Sequence, residues 1–209
     1  MALQLADPDF SDRALAIGLW IVNHEQDVAD GKMDQLIEEL GEFFLSLGNR
    51  PVFLRIGYEF YGHVWNFYER EPFIAVYKRI KDRLGAQGVT NVAYVWQSTG
   101  WVSTPAQLME WYPGDDYVDW LGCSFFNRWR EIEMFESARQ LRKPVFIAEA
   151  TPTISSHMAK FDGTTVETIL ANPEQAEEAW QEWFVPFFAA VDEYKDCLLY
   201  TSPSPRDRG

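Results

Sequence analysis

The sequence predicts an α/β fold of the (β/α)8 barrel type, on three observations. Five short apolar runs alternate with five stretches of helical periodicity, the order that builds a parallel sheet with helices outside it. The runs are nearly continuous in apolar residues rather than alternating, as strands buried on both faces must be. Polar and aromatic residues collect at the C-terminal ends of the runs, where barrel enzymes keep their sites, and no glycine-rich phosphate turn follows any run.

The elements follow in order. "ALAIGLWIV" at 14–22 reads as a strand, and the stretch after it spaces Met33, Leu36, Ile37, Leu40, Phe43, Phe44 and Leu47 as one helix face. "PVFLRIGYEF" at 51–60 is the second strand. Residues 71–84 are helical, with Phe73, Val76, Tyr77, Ile80 and Leu84 on one face, Pro72 near the start, and Gly85 and Gly88 as the stop. "NVAYVWQS" at 91–98 is the third strand, and Thr104-Pro105 opens a short helix running to Trp111. "YVDWLGCSFF" at 117–126 is the fourth strand, followed by a helix over about 130–141, and "KPVFIAEA" at 143–150 is the fifth. A loop over 151–171 leads to a helix from Asn172-Pro173, which carries Trp180, Trp183, Phe184, Phe187, Phe188 and Val191 and should kink at Pro186. "CLLY" at 197–200 would begin a sixth strand. Eight strands close a barrel, so residues 1–200 read as one partial barrel domain. The tail 201–209, "TSPSPRDRG", has no apolar residue and a non-native look.

The totals narrow the function. A formal net charge of −14 argues against nucleic acid, whose phosphates require Lys and Arg clusters. Two cysteines make neither a disulfide framework nor a metal cluster, and Cys123 in an apolar run reads as a small buried hydrophobe. His24, His63 and His157 are too scattered for a zinc motif, which disfavours a metal-dependent barrel enzyme, and no cofactor is expected. Asp115 and Asp116 in "PGDD" suit a turn. No run reaches the roughly 20 apolar residues of a membrane span, and the first 13 residues lack the pattern of a signal peptide.

Two acids carry the chemistry. Side chains alternate along a strand, so Arg55, Gly57 and Glu59 are expected on one face, and Val145, Ile147 and Glu149 on another. Glu59 and Glu149 each end a strand, 149 − 59 = 90 residues or three βα units apart. Strands so placed around a barrel can aim both acids into one cavity. Two carboxyl groups about 5 to 5.5 Å apart are the requirement for retaining glycoside hydrolysis. The nine tryptophans offer apolar faces on which sugar rings stack.

"RIGYEFYGHVW" resembles the fourth-strand motif of clan A glycoside hydrolases, most closely family 26, in which an arginine four positions before the acid/base leads into an aromatic loop. "YPGDDYVDWLG" resembles that family's approach to its sixth strand, and "KPVFIAEAT" its seventh, which carries the nucleophile. The resemblance implies a chain running from about the third barrel strand to the eighth. It implies a retaining, endo-β-mannanase-like hydrolase of β-mannan or a related β-glucan or xylan, with Glu59 as acid/base and Glu149 as nucleophile. The family's mannanases usually place His before the acid/base, where this chain has Tyr58, and a Tyr after the sixth strand, where "SFFN" offers Phe125 and Phe126.

The remaining candidates are substrate-binding. Arg55 is expected beside Glu149. Tyr58, Trp65, Asn66, Trp96, Phe126 and Trp129 sit at or just beyond the ends of runs and would stack on sugar rings or bond their hydroxyls. Each has a plainer use, as rim packing or turn shaping. The partner is a polysaccharide or oligosaccharide; the rival reading is a degenerate barrel that binds carbohydrate without turning it over.

Overall fold

The computed structural model describes residues 12–61, 66–99, 104–126, 128–150 and 173–197, with the side chains of 128–132 and Gln175 excepted. Five strands, β1 (Leu15–Leu19), β2 (Val52–Ile56), β3 (Val92–Ser98), β4 (Trp120–Phe125) and β5 (Val145–Ala150), form one sheet in chain order, every pair parallel. The helices between them are α1 (Glu25–Ala29), α2 (Asp34–Ser46), α3 (Arg70–Ala86), α4 (Pro105–Met109) and α5 (Arg128–Leu141). After β5 come α6 (Pro173–Ala179), a π-helical turn (Trp180–Phe184) and α7 (Val185–Glu193).

The sheet is curled. In a flat sheet, strands three apart lie about 14 Å from one another. Yet the rings of Phe53 on β2 and Phe146 on β5 have centroids 5.2 Å apart, and Phe53 also meets Trp120 of β4 edge-on at 5.6 Å. Side chains from β2, β4 and β5 can meet only across the inside of an arc, the geometry of a (β/α)8 barrel short of closure. The five described strands make that arc.

The register sorts every strand into an inner and an outer face. Val52, Leu54 and Ile56 align with Val92 and Tyr94 on β3, then with Leu121, Cys123 and Val145. All of these but Val92 are buried, in the layer between sheet and helices. Phe53, Arg55, Val95, Gln97, Trp120, Gly122, Ser124 and Phe146 lie on the inner face. Phe73 of α3 is fully buried among Phe60, Tyr68, Tyr77 and Trp111, so truncating it would cost about 3 to 5 kcal/mol. An Arg79 fork grips Asp34 with two bonds of 2.7 Å, tying α3 to α2.

Several expectations are corrected in detail. A short helix that was not expected, α1, precedes the expected one, α2, and Leu36 of the expected buried face is 54% exposed. Gly85 lies inside α3; Gly88, with φ +81°, ends it. The last helix takes up Pro186 as a π-helical turn just before it, since proline has no N–H to bond back. That turn divides the aromatic row: Trp183 and Phe187 stack at 4.9 Å beside Phe125, while Trp180 and Phe188 stay exposed. Of the expected sixth strand only Cys197 is described; its carbonyl accepts from Val145 N at 2.5 Å, on the far side of β5 from β4. Among the described residues no helix is long and apolar enough to cross a membrane.

Candidate active site

The site grows from the C-terminal ends of β2 to β5 on the inner face. β2 ends at Ile56, so Glu59 lies beyond the strand and alternation does not place it. The chain turns through two left-handed residues instead, Gly57 at φ +56° and Glu59 at φ +54°. A Cβ on Gly57 would come within 2.7 Å of the Phe73 ring and 3.1 Å of Ile21, so the turn requires glycine for both its dihedral and its space. A non-glycine residue at positive φ carries local strain, and such residues cluster at functional sites. The turn is clamped by Asn66, whose side-chain N–H donates to the carbonyls of Tyr58 at 3.0 Å and Glu59 at 3.4 Å.

Glu149 arrives by a different irregularity. Cys123 pairs with Ile147, but the next residue of β4, Ser124, pairs with Glu149, leaving Ala148 as an extra residue in a β-bulge. Val145 and Ile147 face the helices. Simple alternation would send Glu149 there with them, and the bulge turns it to the inner face instead. This corrects the expected sharing of a face by Val145, Ile147 and Glu149.

One ion pair and three hydrogen bonds in series join the two acids. Arg55 Nη1 lies 3.5 Å from Glu149 Oε1 and donates to Gln97 Oε1 at 3.0 Å. Gln97 Nε2 donates to Ser124 Oγ at 3.1 Å, and Ser124 Oγ donates to Glu59 Oε1 at 2.6 Å. Gln97 and Ser124 are fully buried and Glu59 nearly so, whereas the Glu149 side chain is 48% exposed. Gly122, the register partner of Gln97, makes room for this: a Cβ there would sit 2.9 Å from Gln97 Cβ. Tyr58 is half-buried under the Arg55 guanidinium, which sits 5.3 Å from its ring centroid and is held in place from below.

The other candidates fall out unevenly. Trp96 is fully buried on the outer face, stacked on Phe60 at 4.8 Å and met edge-on by Tyr112 at 5.0 Å. It is a core ring with no face for a sugar, which corrects the expectation of a platform there. Asn66 is buried and occupied as the clamp of the Glu59 turn. The Phe126 carbonyl accepts from the Trp183 indole at 3.2 Å, and its ring is half-buried. Trp65 and the side chain of Trp129 lie outside the described residues. Burial pushes the phenols of Tyr94 and Tyr112 above the usual tyrosine range, so the rings packed behind the site are neutral. Among the described residues no three His, Cys, Asp or Glu side chains are grouped to hold a metal.

Ser124 and Gln97 are candidate site residues that the strand pattern alone does not single out. Their signal was available: polar residues at inner-face positions of otherwise apolar strands, and such residues require partners.

The comparisons with known proteins converge on one family. The model of glycosyl hydrolase family 26 matches residues 19–194. The chain belongs to this family. A curated family relative, a beta-1,3-xylanase from Alcaligenes sp, is 34% identical over 88% of this chain, and a second from Vibrio sp is equally similar. The chain spans about two fifths of the length of these relatives, 41% and 42% respectively. Among solved structures, this family 26 chain superimposes on a beta-mannanase from Bacteroides ovatus with a TM-score of 0.56 at 22% identity, covering 78% of this chain and 58% of that one. An endo-beta-1,4-mannanase from Cellulomonas fimi gives 0.59 at 15% identity, covering 88% and 46%. At these identities the likeness establishes the barrel fold.

Proposed function

We propose that the protein carrying this chain is a retaining glycoside hydrolase of β-linked glycans, with Glu149 as nucleophile and Glu59 as acid/base. The observation that carries the reading is the chain Glu149–Arg55–Gln97–Ser124–Glu59, which links a carboxylate on β5 and one in the turn after β2 to one guanidinium at the C-terminal end of the strands of a family 26 barrel.

The mechanism follows from what each group can do. Glu149, on the more open side, attacks the anomeric carbon while Glu59 delivers a proton to the leaving oxygen. A glycosyl ester on Glu149 results. Glu59, now ionised, takes a proton from water, which releases the sugar with retained configuration. Arg55 orients Glu149 directly, as its ion-pair partner, and reaches Glu59 only through Gln97 and Ser124. The reading requires the two carboxyl groups to stand about 5 to 5.5 Å apart when substrate is bound.

The 34% identity to two beta-1,3-xylanases supports β-1,3-linked xylan as the first substrate to try, ahead of mannan. The test is release of reducing ends from β-1,3-xylan and β-mannan by the full-length protein, with product anomers followed by NMR. Retained configuration and loss of turnover in Glu149→Ala support the reading. Inverted product, or glycan binding without turnover, refutes it.

A further inference from the structure

The direction of every hydrogen bond in the buried chain can be fixed, because one end can only donate. Guanidinium has no acceptor. Arg55 Nη1 must therefore donate to the amide oxygen of Gln97, which leaves the amide nitrogen of Gln97 to donate to Ser124 Oγ. The serine hydroxyl has a single proton. With one lone pair taken by the amide, and no other acceptor for it among the described residues, that proton points to Glu59 Oε1 at 2.6 Å. Full burial of Gln97 and Ser124 keeps water from rotating either group.

We infer that Ser124, oriented by Gln97, is the positioning residue of the acid/base: it makes Oε1 of Glu59 a permanent acceptor and so assigns the transferable proton to Oε2. A carboxyl free to carry its proton on either oxygen would present the wrong oxygen to the leaving group part of the time. The ordered chain removes that alternative. It also holds the carboxylate plane for the second step, in which Oε2 takes the proton from water. The inference rests on the reading of Glu59 as acid/base.

The experiment separates the two claims. In the full-length protein carrying this chain, Ser124→Ala, Ser124→Thr, Gln97→Leu and Glu59→Ala are assayed on β-1,3-xylan and on a dinitrophenyl β-xylobioside, whose leaving group needs little protonation. Ser124→Ala should lower kcat on xylan about 10- to 100-fold with KM nearly unchanged. Its pre-steady-state release of dinitrophenol should be spared, and Ser124→Thr, which keeps the hydroxyl, should recover most of the loss. Gln97→Leu should show the same selectivity with a smaller loss, and it keeps the test alive if Ser124→Ala does not fold. Equal losses on both substrates in Ser124→Ala, or no loss on xylan, overturn the inference while the leaving-group dependence of Glu59→Ala keeps the parent reading. Absence of that dependence in Glu59→Ala refutes the reading of Glu59, and the inference with it.

Discussion

Replacing Gly57 by alanine isolates how the Glu59 turn is held. Two costs add at this position. The left-handed dihedral, φ +56°, costs an L-residue about 1 to 2 kcal/mol. The added Cβ would also stand 2.7 Å from the Phe73 ring and 3.1 Å from Ile21, and overpacking of this kind costs about 1 to 3 kcal/mol. Phe73 cannot swing away, because it is fully buried and ringed by aromatic neighbours. Gly48 is the matched control: its φ is +60° and a Cβ there would meet nothing within 4 Å. Urea unfolding at high dilution should therefore show Gly48→Ala destabilised by about 1 to 2 kcal/mol and Gly57→Ala by about 2 to 5, with unchanged m-values. The difference between the two variants is the packing term at Phe73. Equal destabilisation, within about 0.5 kcal/mol, would refute the claim that space as well as dihedral requires glycine beside Glu59.

Three further outcomes are expected. Glu59→Ala should keep the first step on a dinitrophenyl glycoside and regain turnover with azide, giving a β-glycosyl azide; Glu149→Ala should give no β-azide, and a loss of about 10²- to 10⁴-fold is expected from removing the acid/base. The Arg79 bonds hold the Asp34 carboxyl below its ordinary range, so its contribution to stability is present above about pH 4 and lost as pH falls through the folded value; the melting-temperature gap between the wild-type chain and Asp34→Asn should therefore narrow below pH 4, and a constant gap would refute the linkage. Among the described strands β1 has a partner only on its β2 side, so the 209-residue chain should self-associate with concentration, and Ala16→Lys on that edge should reduce the light scattering; an unchanged signal would place the contact elsewhere.

The fold was legible because parallel strands buried on two faces leave long apolar runs, and five of these appear in order. Alternation alone places neither candidate acid: Glu59 sits beyond its strand and Glu149 is turned inward by a bulge, and neither irregularity has a sequence signature as firm as periodicity. The same alternation, carried along β3 from its pairing with Arg55, would have placed Gln97 inside and Trp96 outside. The aromatic identity of Trp96 outweighed its parity. Ser124 was passed over for its neighbours Phe125 and Phe126, since a lone hydroxyl in an apolar run gives no hint of its partner until strands are aligned. The short helix α1 was invisible for want of enough residues to show a period.

The bulge at Ala148 makes the direction of the Glu149 carboxylate a property of strand pairing as well as of side-chain identity. Were β5 to pair evenly with β4 while keeping Ala148, Glu149 would rotate toward the helices with every chemical group in the chain still present. Deleting Ala148 would have no such effect, because the carboxylate would then follow Ile147 directly and alternation alone would turn it inward. Point substitutions that leave the bulge in place are therefore a poor survey of what this strand must preserve.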